Sequence, residues 1–151
     1  MNWLAQLPTQ RTPWLLFTGI VFLLEVTALF FQYQMGLAPC IMCIYQRTAV
    51  FGLMFAAMPA MLINNLITRL IGYIGWGTSA IWGLQIALEH VDIQTAANPF
   101  FATCEFVPNF PTWAPLHEWI PVLFEATGDC GSISWQFLGY SMPQWMIVVY
   151  G

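Results

Sequence analysis

The chain has 151 residues, 59% hydrophobic and 7% charged, with three basic against seven acidic side chains and a formal net charge of −4. Soluble domains carry roughly 25% charged residues, so this charge complement cannot coat one of this size, and so few basic residues give nucleic acid no basic patch. A mean hydropathy of +0.68 and recurrent apolar runs of bilayer length point instead to one integral membrane domain over residues 1–151, all-α and solvated by lipid.

In chain order, the first apolar run is Trp14 to Phe31, interrupted only by Thr18, Gly19, Glu25 and Thr27, and it matches the roughly 17–25 residues that cross a hydrocarbon core. A cleaved leader is the competing reading, because Leu37-Ala38-Pro39-Cys40 loosely resembles a lipoprotein cleavage site. The run is long for a signal peptide, however, and proline before the cysteine is unsuited to cleavage. A loop over about 32–44 carries Cys40-Ile41-Met42-Cys43. The second span is expected over about 45–63, with Arg47 at its start and Pro59 near its end, a proline that neighbouring helices can accommodate. The third is expected over about 70–88, where Gly75, Ser79 and Gly83 recur every four residues and bring one face close to another helix. A long segment over about 89–142 follows. A fourth apolar element begins near Pro143 and stops at Gly151, and the expectation is a truncated helix or one that ends partway through the bilayer.

Arg11 and Arg69 flank the first span and the 64–69 connection, whereas residues 89–141 contain six acidic residues and no lysine or arginine. The positive-inside tendency then places the N-terminus and the 64–69 connection in the cytoplasm and both cysteine-bearing loops outside. Within the long loop, Leu116, Trp119, Ile120, Leu123 and Phe124 fall at helical spacing. A short interfacial helix bent at Pro121 and an ordinary amphipathic loop turn are both compatible with that pattern.

Four cysteines carry the candidate chemistry. Two residues between Cys40 and Cys43 let the sulfurs approach bonding distance when the second lies in the first turn of a helix, whose N-terminus stabilises a thiolate. The same C-x-x-C is half of a zinc knuckle, but Cys104 and Cys130 are 26 positions apart and do not supply the other half, so no metal is expected. Cys104 and Cys130 read either as a structural staple in an outward loop or as a second redox pair, the latter favoured by the flanking Pro99, Pro108 and Gly128. Arg47 lies one helical turn beyond Cys43, where a charge is costly without a role. It either snorkels to headgroups or stabilises negative charge at Cys43 and on an electron acceptor. His90, beside Glu89 at the end of the third run, is a hydrogen-bonded interface histidine or a proton donor to that acceptor. Glu25 is assigned no chemistry.

Cys40-Ile41-Met42-Cys43-Ile44-Tyr45-Gln46-Arg47, Glu89-His90, Asn98-Pro99-Phe100-Phe101-Ala102-Thr103-Cys104, Gly128-Asp129-Cys130 and the stretch from Phe137 to Trp145 together resemble the DsbB family of bacterial disulfide-forming membrane enzymes, over nearly the whole chain. That resemblance implies a four-helix transmembrane bundle in the inner membrane, with its redox loops facing the periplasm. It would reoxidise the thiol oxidase DsbA and pass the electrons to a membrane quinone, ubiquinone or menaquinone. It further implies that a Cys104–Cys130 disulfide receives the electrons, with Cys104 forming the mixed disulfide. Cys40 and Cys43 would reoxidise that pair, and Arg47 and His90 would lie beside the quinone. Gln46 departs from the pattern, since some members carry an acid next to the arginine. A vitamin K epoxide reductase-like oxidoreductase, a paralogue with a dedicated partner, and a scaffold with a purely structural disulfide remain the competing readings.

Overall fold

A computed structural model describes residues 10–96 and 107–151, and the readings placed on Cys104 and on residues 98–103 lie outside these described residues. Three long helices carry the fold: α1 (Arg11–Tyr33), α2 (Ile41–Leu62) and α3 (Leu66–Thr95). Two single turns follow, α4 (Leu116–Trp119) and α5 (Pro121–Phe124). A two-stranded hairpin, β1 (Gln136–Phe137) and β2 (Tyr140–Ser141), then leads directly into α6 (Met142–Tyr150). The all-α class implied by the apolar runs is observed, with the hairpin as its one departure among the described residues.

Helix α1 has Trp14, Val21 and Glu25 buried, while Leu15, Leu16, Ile20, Phe22 and Leu23 are exposed. One narrow stripe packs inward and the rest presents hydrocarbon outward, the inverse of a soluble amphipathic helix. Helices α1 and α2 are each long and apolar enough to cross a membrane, with 18-residue windows of mean hydropathy 2.1 and 1.4. Helix α2 is central, packing on α1 on one side and α3 on the other, and α3 in turn packs on α6.

The every-fourth-residue stripe on α3 makes the contacts that its spacing implies. A Cβ on Gly75 would lie 2.9 Å from the Ala56 Cβ, Ser79 sits against Gly52, and a Cβ on Gly83 would meet the Tyr150 ring at 2.4–2.8 Å. Small residues therefore let α2 and α6 approach the α3 backbone closely, which in lipid supplies packing that the hydrophobic effect does not.

The helix ends differ from the hydropathy boundaries. Helix α2 starts at Ile41, with Cys40 as its N-cap, rather than near residue 45. Helix α3 runs on to Thr95, so His90 lies inside a helix and not at the start of a loop. Hydropathy marks where a chain leaves hydrocarbon, whereas a helix continues until a breaker or a cap stops it. At 30 residues and a rise of about 1.5 Å each, α3 is about 45 Å long, longer than a hydrocarbon core of about 30 Å, although by hydropathy only α1 and α2 are candidate spans among the described helices. The face-sharing pattern over 116–124 becomes two turns, because Ile120 is non-helical and Pro121 opens the second; of its apolar residues only Phe124 is buried.

At the hairpin, Leu138 (φ 54°) and Gly139 (φ 82°) both take the left-handed conformation, the two-residue turn whose twist matches antiparallel strands. Ser141 and Gln144 then form a reciprocal capping box that starts α6. The hairpin thus aims α6 back along α3.

Candidate redox site

Local chain geometry builds the C-x-x-C. Cys40 is extended (φ −80°, ψ 172°) and caps α2, its sulfur accepting the Cys43 backbone N–H at 3.3 Å. Cys43 therefore sits in the first helical turn, and the two sulfurs are 2.9 Å apart as free thiols. Cys40 is buried, while Cys43 is partly open to a cavity of about 350 Å³ that both residues line. The Cys40 thiol is pushed well above its ordinary range, first by the hydrogen bond it shares with Cys43 and then by burial. Either sulfur can donate in this contact, and Cys40 is the one that burial and the shared bond keep protonated to higher pH.

His90, one turn before the end of α3, is 2% exposed and brings Nε2 to 3.6 Å from Cys40 Sγ. Its other ring nitrogen, Nδ1, lies 3.3 Å from the Gln46 amide. Gln46 in turn accepts the Tyr150 hydroxyl hydrogen bond at its backbone oxygen, 2.7 Å away. The helical overrun of α3 is what carries His90 to this level.

Arg47 does not snorkel. It is 7% exposed and its Nη1 donates to Gln32 Oε1 at 2.9 Å and to the Leu123 carbonyl at 2.6 Å. Its Nε lies 3.6 Å from Glu25 Oε2, beyond hydrogen-bond reach, so both atoms are buried without a hydrogen-bond partner. Glu25, to which the sequence assigns no chemistry, is therefore a charge partner for the arginine. The signal was present: it is the one ionisable side chain between Trp14 and Phe31, and an acid inside an apolar span is a functional candidate by default. Gln46, distinctive in the sequence only as an uncharged departure from the family pattern, is the residue that orients the histidine.

Cys130 is disulfide-bonded and buried, and it clusters with Cys40, Ile41, Met42 and Ile86. The approach is made by backbone. Thr127 and Gly128 N–H both donate to the Pro39 carbonyl at 3.0 Å, and a Cβ on Gly128 would fall 2.2 Å from the Ala38 oxygen. Only glycine allows the 127–130 segment to lie on the loop before Cys40. The structure so brings Cys40, Cys43, Arg47, His90 and Cys130 to one end of the bundle; Cys104 lies outside the described residues.

The family model for the disulfide bond formation protein DsbB matches residues 10–151. The chain belongs to the DsbB family. It is 64% identical over 151 residues to a disulfide bond formation protein B of Pseudoalteromonas translucida (strain TAC 125), covering 99% of this chain and 88% of that one. It is 60% identical over 150 residues to the protein of that name in Pseudoalteromonas atlantica (strain T6c / ATCC BAA-1087), with the same coverage. For the one in Psychromonas ingrahamii (strain DSM 17664 / CCUG 51855 / 37) the figure is 51% over 148 residues, or 97% and 80% of the two chains. Membership accounts for a helical membrane protein of the disulfide bond formation family.

Proposed function

We propose that this DsbB-family protein reoxidises a soluble dithiol oxidase of the DsbA type and delivers the electrons to a membrane quinone, working in the bacterial inner membrane with both cysteine pairs on the periplasmic side. The carrying observation is the shared cavity: Cys40, Cys43, Arg47 and His90 all line it, in a wall otherwise mostly apolar, while Cys130 shares a buried cluster with Cys40.

A quinone fits this wall on its own chemistry. The ring needs an apolar slot and a donor for a carbonyl oxygen, and Arg47 Nε is a buried donor without a hydrogen-bond partner. When bound, a quinone supplies an acceptor for two electrons and two protons.

The chain's own residues do the rest. Cys104, taken as the partner of Cys130 as the family resemblance implies, accepts the attacking thiolate of the soluble partner and releases Cys130. The partner's second thiol then frees Cys104 as its own disulfide closes. The outer dithiol next attacks the Cys40–Cys43 disulfide, with Cys130 at Cys40, its neighbour in one buried cluster, and Cys43 leaves as a thiolate near the Arg47 charge. Cys104 resolves the mixed bond, and the outer disulfide is restored. Reclosing Cys40–Cys43 releases two electrons to the acceptor and requires the Cys40 proton to depart, and His90 Nε2, 3.6 Å from Cys40 Sγ, is a base placed to take it. Glu25 holds Arg47 in place, and Gln46 holds His90.

The test is anaerobic. Reduced protein mixed separately with ubiquinone and menaquinone should lose two thiols per quinone consumed, and reduced DsbA should then be oxidised by the chain but not by its Cys104→Ala variant. No thiol loss with either quinone would refute the acceptor, and oxidation of DsbA by Cys104→Ala at the normal rate would refute the relay.

A further inference from the structure

Cys40 Sγ, Cys43 Sγ and a ring nitrogen of His90 all lie within 4.8 Å of one another. Tetrahedral binding at sulfur and nitrogen distances of about 2.3 and 2.0 Å needs donors spaced by about 3.5 Å for S and N and about 3.8 Å for S and S. The observed Cys40 to His90 separation is 3.6 Å, so that edge is already formed. The sulfurs stand at 2.9 Å and would open by about 0.9 Å, a side-chain rotation of Cys43, the less enclosed of the two.

We propose that the reduced Cys40/Cys43 pair and His90 form a binding site for one thiophilic d10 cation, of the Zn2+ or Cd2+ kind, and that occupancy locks the pair in its dithiol state. Two thiolates and an imidazole select soft or borderline ions over Mg2+ or Ca2+. Gln46 completes the arrangement: with its amide turned over, Oε1 accepts the Nδ1–H of His90, which fixes the tautomer with Nε2 free to ligate. All three donors line the cavity, from which water or another small donor would complete the set.

Charge permits this. Two thiolates and a divalent ion are neutral together, and the neighbouring Arg47 is already faced by Glu25 at 3.6 Å. The step is an exchange without redox change: both S–H bonds break, two protons leave, two metal–sulfur bonds form, and no electrons move. The disulfide form has no thiolate and cannot bind, so the site exists only between electron uptake and electron delivery. None of this rests on the identity of the electron acceptor.

The reduced chain in micelles is titrated with Cd2+, followed by thiolate-to-metal charge-transfer absorbance, and with Zn2+ against a chromophoric chelator. One equivalent should bind, and none when Cys40–Cys43 is oxidised. Cys40→Ala should weaken binding at least a hundredfold and His90→Gln about tenfold, while a Cys104→Ala/Cys130→Ala chain should retain its equivalent. Equal binding by the oxidised chain, or by Cys40→Ala, would overturn the site. The oxidised and reduced arms use the unmodified chain, so they decide the matter even where a variant fails to fold.

Discussion

Replacing Gly128 with alanine isolates the contact between the two cysteine regions. The added Cβ would sit 2.2 Å from the Ala38 oxygen, 2.9 Å from the Ala38 carbonyl carbon and 3.2 Å from the Cys40 nitrogen. All three are backbone atoms, and no rotamer change relieves them. The 127–130 segment must lift, breaking the hydrogen bonds that Thr127 and Gly128 donate to the Pro39 carbonyl at 3.0 Å. At about 1 kcal/mol each the loss is about 2 kcal/mol, which lowers the docked population about thirtyfold. Transfer of the disulfide from Cys40–Cys43 to the outer pair should slow by about 10- to 30-fold on that count, and Cys40, 3% exposed at rest, should become easier to alkylate. Rapid mixing followed by acid quench, thiol trapping and peptide mapping measures which pair is oxidised at each time. Gly131→Ala is the matched control, because its Cβ would meet only Asp129 Oδ2 at an ordinary 3.6 Å. Wild-type transfer in Gly128→Ala, or equal slowing in Gly131→Ala, would refute the docking argument.

Arg47→Met removes two hydrogen bonds and leaves Glu25 buried opposite an apolar chain; the expected destabilisation is about 3 kcal/mol, with partial recovery in Glu25→Gln/Arg47→Met, and an unchanged Tm in the single variant would show that the pair is not structural. On α3, Gly83→Ala drives a Cβ into the Tyr150 ring and should cost about 1–3 kcal/mol, whereas Gly77→Ala, with nothing within 4 Å, should gain about 0.5–1 kcal/mol; urea unfolding in micelles ranks them, and a reversed order contradicts the packing. Between pH 7 and 8 a small alkylating agent should modify Cys43 well ahead of Cys40, whose thiol is held protonated by its bond to Cys43 and by burial; raising the pH should narrow the gap as Cys40 ionises, and faster modification of Cys40 at neutral pH would reverse the two roles.

Membrane residence, helical class and the C-x-x-C of the proposed relay were legible along the chain, because each is a local property. Apolar length decides whether a helix can cross lipid, and a two-residue spacing decides whether two thiols can meet. Even the α3 stripe of Gly75, Ser79 and Gly83 was readable, since helical periodicity alone puts those residues on one face. What the one-dimensional pattern could not supply was partnership across the bundle. Glu25 looked idle until the fold set it 3.6 Å from Arg47. Gln46 looked like a missing counter-ion until α3, running past its hydropathy boundary, brought His90 against it. Leu123, 76 residues from Arg47, lends a carbonyl, and Gly128 seats the outer cysteine on the loop before Cys40. Solvent preference acts on each residue where it stands. Buried polar atoms are satisfied only by whatever the packed helices bring within about 3 Å, so the tertiary structure alone decided which charges and thiols face one another.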